Sequence, residues 1–196
     1  MIATRDAFGN QLIESAKSND KILVLSADLS KATKTEKFSK EFPERFFEIG
    51  IAESNMIGIG SGLSEYGFKV IMTSFASFLT GKYDVIRVSL AYSNAPVILV
   101  GTHAGLAIGK DGVTQMGLED ISLMRSLPNM QVMQPATAIE TEKMVEYILD
   151  SDLNGPVYLR LGRQPVKEIF DENYKFIPKK GVVCRDGNDL AIFVTG

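Results

Sequence analysis

Apolar residues along the chain fall into short, almost unbroken runs, separated by longer stretches of mixed character. The runs are Lys21–Ala27, Arg45–Ile49, Lys69–Phe75, Ala95–Gly101, Met130–Gln134 and Pro156–Leu161. Several read as near-continuous Val, Ile, Leu and Phe, which predicts strands buried on both faces. Between them lie Thr4–Ser18, Ala52–Tyr66, Ala76–Ser93, Leu118–Ser126 and Ala138–Asp150, each long enough for a helix. This alternation predicts an α/β fold, a doubly wound and mostly parallel sheet of about six strands with helices on both faces and right-handed crossovers. Thr4 and Thr137 are the expected N-caps of the first and last helices. Ser151–Pro156 stops the last helix, and Pro96 and Pro156 stand where strands begin, positions a proline tolerates.

Two stretches depart from this rhythm. Gly58, Gly60 and Gly62 lie inside one helix, although each glycine costs about 1 kcal/mol relative to alanine. A close approach of that helix to a strand or another helix explains them, with a phosphate loop as the other reading. Beyond Arg163 the pattern loosens. Residues 1–164 read as one domain, 165–188 as a linker, and Asp189–Gly196 as a buried strand that opens a further, truncated domain.

Composition narrows the classes. The 196 residues are 45% hydrophobic and 23% charged, enough for a real core without disulfides or a structural metal. Net charge is −3 and the basic residues are scattered, which argues against nucleic acid as a partner. The lone Cys184 allows no intramolecular disulfide and fits a reducing, cytoplasmic setting. One histidine and one cysteine cannot build a zinc site. No apolar run has the length of a membrane span, and MIATRDAFGN has no signal-peptide layout.

Nucleotide motifs fail on spacing. Gly105–Asp111 resembles a Walker loop at a glance, but Asp111 stands where Ser or Thr is required. The first strand ends in Ser26-Ala27-Asp28-Leu29-Ser30, where a dinucleotide fingerprint would need G-x-G-x-x-G. Ligands in open α/β sheets collect at the carboxyl ends of the strands. Three polar loops lie there: Asp28–Lys34, Gly50–Asn55, and Thr102 through Gln115. Glu53 opens a helix, where the dipole stabilises a carboxylate, so a capping charge would account for it. His103 follows the apolar run Val97–Val100, and a lone histidine at a strand end is more often structural than catalytic.

The combination of motifs is more specific than any one of them. Gly50-Ile51-Ala52-Glu53-Ser54-Asn55-Met56, followed by Gly58 and Gly60, resembles the G-I-A-E-x-x-M segment of transketolases and deoxyxylulose-phosphate synthases. Ser74-Phe75-Ala76-Ser77-Phe78 is similar to their T-F-x-x-F. Thr102-His103 with Gly109–Gln115 is similar to T-H-D-S-x-x-x-G-E-D-G-P-T-H-Q. Leu127–Met130, Gln134–Ala136, Gly155–Arg160 and Gly162-Arg163-Gln164 match in order and spacing, so the resemblance covers residues 4–164. The chain is identified as a member of the transketolase family, as its pyrimidine-binding domain.

The resemblance implies roles. Glu53 would hydrogen-bond the pyrimidine ring nitrogen of thiamine diphosphate and promote the imino tautomer that removes the thiazolium C2 proton. A partly buried glutamate can share a proton with such a nitrogen. Phe78, and less directly Phe75, would pack on the pyrimidine, and Asp28 would lie near the cofactor pocket. His103, Asp111 and Gln115 would contact substrate hydroxyls. Arg5 and Arg163 would hold a sugar phosphate, which suits the planar guanidinium fork. Glu119 occupies a family position that is usually glutamate. The reaction implied is transfer of a two-carbon ketol unit from a ketose phosphate to an aldose phosphate. Deoxyxylulose-phosphate synthesis, an oxo-acid dehydrogenase β subunit and a non-catalytic transketolase-like subunit are the rival readings.

Departures are local. The family's D-S after the histidine is Ala104-Gly105, and its second histidine is Gln115, which bonds a hydroxyl but shuttles no proton near neutral pH. The G-D-G segment that holds the diphosphate and its metal is missing. The resemblance therefore implies a split enzyme, with Mg²⁺ or another divalent ion held mainly by an N-terminal partner subunit, in a homodimer or heterotetramer.

Overall fold

The computed structural model describes residues 1–196. Six parallel strands form the central sheet in the order β3-β2-β4-β5-β7-β6. They are β2 (Ile22–Ser26), β3 (Phe46–Glu48), β4 (Lys69–Phe75), β5 (Ile98–Thr102), β6 (Gln131–Met133) and β7 (Val157–Arg160). Each lies inside one of the apolar runs or overruns it by a single residue. The expected α/β architecture is thus the observed one. β1 (Ile2–Ala3) and β8 (Pro165–Val166) form a small antiparallel ladder beside it, so the folded unit runs past residue 164.

The sheet separates two cores. On one face, Ile22 and Val24 of β2, Ile71 of β4, Ile98 and Val100 of β5, and Val157 and Leu159 of β7 pack against α1 (Thr4–Ser18) and α8 (Ala138–Asp150). On the other, Leu25, Val70, Met72, Leu99 and Tyr158 pack against α4 (Glu53–Ser64), the segment around Ile86 and Leu90, and α7 (Asp120–Arg125) with its flank. Alternate residues of each strand serve opposite faces, and both faces are apolar, which is why the runs show no polar alternation.

The glycine-rich helix lies tightly on the sheet. A Cβ on Gly60 would collide with the Met72 side chain of β4, whereas Gly58 and Gly62 face open space. Close approach therefore accounts for one glycine of the three. The expected helix Ala76–Ser93 is three pieces: α5 (Ala76–Thr80), α6 (Tyr83–Ile86) and a π-helical turn, Arg87–Tyr92. Gly81 ends the first piece, donating its N–H to the Ser77 carbonyl. Two short helices, α2 (Ser30–Thr33) and α3 (Glu36–Glu41), fill the crossover from β2 to β3.

One expected cap holds and one does not. Thr137 caps α8, its Oγ1 accepting the Glu140 N–H at 3.3 Å. Thr4 is already inside α1, and its Oγ1 accepts the Gly162 N–H at 2.9 Å. The hydroxyl expected to cap a helix instead ties that helix to the segment after β7. Asp189–Gly196 forms no strand and is exposed. No helix is long and apolar enough to cross a membrane.

Candidate active site at the carboxyl ends of the strands

The ends of β2, β4 and β5 carry four buried hydroxyls. Ser26, Thr73, Ser74 and Thr102 are all fully buried. Each needs a hydrogen-bond partner there, and those partners organise the site.

Glu53 is the first residue of α4 and is 6% exposed. Its Oε1 accepts a hydrogen bond from Ser74 Oγ at 3.1 Å, and Oε2 accepts none. The helix dipole favours a carboxylate at this place, as a capping charge requires. Burial of a carboxylate with one unused oxygen goes beyond that requirement. Phe75 ends β4, and Phe78 follows within α5. Their rings stack with centroids 5.2 Å apart, and Phe78 is only half-buried. The His103 ring stacks on Phe75 in turn, at 4.0 Å. The end of β4 thus carries both the hydroxyl that holds the carboxylate and the first of three stacked rings.

His103 is 3% exposed, with φ at +57°, in the left-handed region that costs a non-glycine residue about 1–3 kcal/mol. Strain of that kind persists where the surroundings over-determine the residue, and here they do. Nδ1 lies 2.9 Å from Thr102 Oγ1, and Nε2 lies 2.8 Å from Arg5 Nη1. Burial and the neighbouring Arg5 guanidinium pull its pKa down to about 4, so the ring is neutral at pH 7. Arg5, near the start of α1, also donates to the Ala32 carbonyl at 3.0 Å. Burial lowers its own pKa, and Arg163 adds to the lowering from nearby.

Arg163, just beyond β7, donates to the Ile108 carbonyl at 2.7 Å and pairs with Asp111. Residues named separately in the sequence therefore arrive as two pairs, His103 with Arg5 and Asp111 with Arg163. Gln115 lies on the same loop, in a 3₁₀ turn (Val113–Gln115), and its amide makes no hydrogen bond within the chain. Asp28 follows β2 with φ at +59°. Its N–H donates to Glu48 Oε1 at 2.7 Å, and its carboxylate is exposed with no partner.

Residues 1–168 match the family described as transketolase, pyrimidine binding domain. The chain belongs to that family. A Methanocaldococcus jannaschii protein provisionally described as a transketolase C-terminal section is 42% identical over 195 residues, 98% of this chain and 61% of that protein. A 6-deoxy-6-sulfo-D-fructose transketolase subunit from a Clostridium species is 37% identical, covering 98% and 59%. A solved split-gene transketolase, an inactive beta4 tetramer, superposes with a TM-score of 0.84 at 45% identity, covering 95% of this chain and 59% of that one. The chain thus spans about three-fifths of the length of these relatives.

Within this pyrimidine-binding domain, the sequence had missed a buried anchor. Asp120 is 0% exposed, and its Oδ2 accepts from Tyr158 OH and from Arg160 Nε, both at 2.8 Å. Beside that carboxylate the Tyr158 hydroxyl is pushed well above its ordinary pKa, first by burial. Arg160 also donates to the Gly117 carbonyl at 3.4 Å, at the root of the loop bearing Asp111 and Gln115. A Cβ on Gly101 would strike the Tyr158 ring, so that glycine makes room for the anchor. Glu119, the acidic residue noticed in the sequence, is exposed and accepts the Leu118 N–H. The usable signal was an Asp at the start of a helix together with an Arg in an otherwise apolar strand.

Proposed function

We propose that this chain is the pyrimidine-binding half of a split transketolase that moves a two-carbon ketol unit between sugar phosphates. The observation that carries the reading is the buried Glu53 carboxylate, held by Ser74 at the end of β4 with one oxygen free, where the same strand runs into the stacked Phe75 and Phe78. A flat heterocycle with a ring nitrogen fits that arrangement: aromatic faces on one side, a hydrogen-bonding oxygen at its edge. Glu53 would hold the proton shared with the pyrimidine nitrogen of thiamine diphosphate, and Ser74 would orient the carboxylate. When bound, the cofactor supplies the electron sink that makes cleavage of a carbon–carbon bond next to a carbonyl feasible.

The second half of the site suits a phosphorylated polyol. Arg163 lies close enough to Arg5 to lower its proton affinity, and Lys34 is a third cation near His103; Asp111 pairs with Arg163 and Asp6 with Lys34, which leaves one positive charge in excess. This excess of positive charge favours a phosphate, which two guanidinium groups can grip through several oxygens. Asp111, His103 and Gln115 would bond the hydroxyls between phosphate and reacting carbonyl. Asp28 would lie at the cofactor's margin.

The diphosphate and its divalent ion would be held by an N-terminal partner subunit, in an oligomer that completes the site. The test combines this chain with its candidate partner, thiamine diphosphate and Mg²⁺, and follows ketol transfer from xylulose 5-phosphate to ribose 5-phosphate. Activity should require both chains and vanish with Glu53→Gln. No transfer with the cofactor bound, or normal turnover by the Gln variant, would overturn the reading.

A further inference from the structure

The loop that carries Asp111 and Gln115 begins and ends at one carbonyl. Gly117 O accepts the Gly105 N–H at 2.9 Å, and Ala104 and Gly117 form an isolated parallel bridge. Residues 105–117 are therefore a closed loop with its ends together, in the manner of an Ω-loop. The same carbonyl accepts a second bond, from Arg160 Nη2 at 3.4 Å. That nitrogen also lies 3.4 Å from the position a Cβ would take on Gly105. One guanidinium thus stands beside both ends of the loop. Gly117 touches the other half of the site as well. A Cβ there would lie 2.7 Å from Ala76 Cβ and 3.1 Å from the Ser77 nitrogen. Ala76 and Ser77 open α5, between the stacked rings of Phe75 and Phe78. The neck of the loop rests on the backbone that joins those rings, and a residue larger than glycine would push the two apart.

A buried carboxylate fixes that guanidinium. Asp120 Oδ2 accepts from Arg160 Nε and from Tyr158 OH, both at 2.8 Å, while Oδ1 is buried and makes no hydrogen bond within the chain. Arg160 is the only cation paired with this carboxylate, and a buried charge left without its partner is costly. Arg160 is also the last residue of β7, in register with Gly101 of β5, so its backbone is held by the sheet. The planar fork serves two acceptors at once, Nε on the carboxylate and Nη2 on the Gly117 carbonyl. A single lysine nitrogen could not repeat that geometry.

We propose that Arg160 is a positioning residue: held by Asp120, it locks the neck of the 105–117 loop onto the start of α5 and so fixes Asp111 and Gln115 relative to the Phe75–Phe78 rings. The inference rests on the reading of those rings as a cofactor platform and of the loop as a sugar-binding element. Its consequence is that the two halves of the site share one joint. Arg160 reaches neither cofactor nor sugar. It sets the distance between the groups that do, and its loss is felt where the loop must meet a ligand already placed on the rings.

The test follows backbone hydrogen exchange and ketol transfer in this chain assembled with its partner, thiamine diphosphate and Mg²⁺. Arg160→Lys keeps a cation for Asp120 and removes the donor to Gly117. Amides of residues 105–117 should then exchange about tenfold faster or more, and those of α1 and α8 within about twofold of the parent. KM for xylulose 5-phosphate should rise about tenfold, with kcat and the Kd of thiamine diphosphate changing less than about threefold. Tyr158→Phe takes away the other donor to Asp120 and leaves Arg160 in place, so it should lower the melting temperature without loosening the loop. Should Arg160→Lys fail to fold, the paired change Asp120→Leu with Arg160→Leu removes both charges together and should free the loop and raise KM in the same way. A loop that exchanges as in the parent, equal loosening by Tyr158→Phe, or a freed loop with KM unchanged would overturn the proposal. A freed loop in a complex without ketol transfer would support the joint and count only against the functional reading.

Discussion

The two halves of the site are built differently. Around Glu53, every group is fixed by regular structure: a helix N-terminus, the end of β4 and the short helix that follows it. Around Asp111 and Gln115, the chain runs through a loop with two 3₁₀ turns, positive-φ glycines at 105, 109 and 112, and exposed side chains. The loop is anchored at its root, where Asp120 and Arg160 hold Gly117, and along its length, where Arg163 holds Asp111 and Ile108. A rigid half suits chemistry that is the same for every substrate. A tethered loop suits the part that must accommodate different sugars. The departures from the family pattern, Ala104-Gly105 and Gln115, lie in or beside the loop, and none lies in the segment around Glu53.

The largest test of this contrast is Glu53→Gln. Turnover should fall by about 10²- to 10⁴-fold, as for loss of a general acid–base group, with little change in the melting temperature because Ser74 can still donate to the amide oxygen. Arg163→Ala should act on the other half. It would remove the proposed phosphate contact and untie Asp111, so KM should rise about ten- to a hundredfold, and the loop around residues 105–117 should become sensitive to limited proteolysis. A Glu53→Gln effect confined to KM would dissolve the distinction between the halves.

Smaller effects separate scaffold from surface. Gly60→Ala should lower stability by about 1 kcal/mol, the clash with Met72 outweighing the gain in helix propensity. Gly58→Ala, facing open space, should raise it by about 0.5–1 kcal/mol in chemical denaturation. Acid should also weaken the fold through His103. Its folded pKa, about 4, lies below the unfolded value near 6.5, so between those values the unfolded chain binds the extra proton. That contribution is complete above about pH 6.5 and is lost as pH falls toward 4, and His103→Asn should flatten the slope in pH-dependent melting. The smallest change is expected from Gln115→His, less than about threefold in kcat at pH 8, with a new pH dependence of KM near neutrality.

Local rules made much of this legible. Apolar runs located all six sheet strands, because strands buried on both faces leave no polar alternation to confuse them. The family motifs named Glu53, His103 and the arginines. What stayed hidden depends on residues distant in sequence. Thr4 has the chemistry of a cap, yet its hydroxyl is claimed by Gly162, 158 positions away. Asp120 looked like one of two acidic residues at a helix start, and only the positions of Tyr158 and Arg160 distinguish it from Glu119. The break of Ala76–Ser93 was visible at Gly81, but the apolar positions continued with helical spacing through it. Asp189–Gly196 has the composition of a strand yet is exposed and unpaired, because propensity alone does not make a strand.

The core between α1 and α8 also sets an order of events during synthesis. Helix α1 shares its core with the last helix of the sheet unit, made about 130 residues later, and is tied through Thr4 to Gly162. Most of the other face, from Leu25 to Leu99 with α4, lies closer together along the chain, and Met124, Leu127 and Tyr158 complete it later. Long-range closure is slow, and a chain still emerging cannot make it. The Glu53 face can therefore begin to assemble first. Arg5 reaches His103 only when the far end of the domain draws α1 into place.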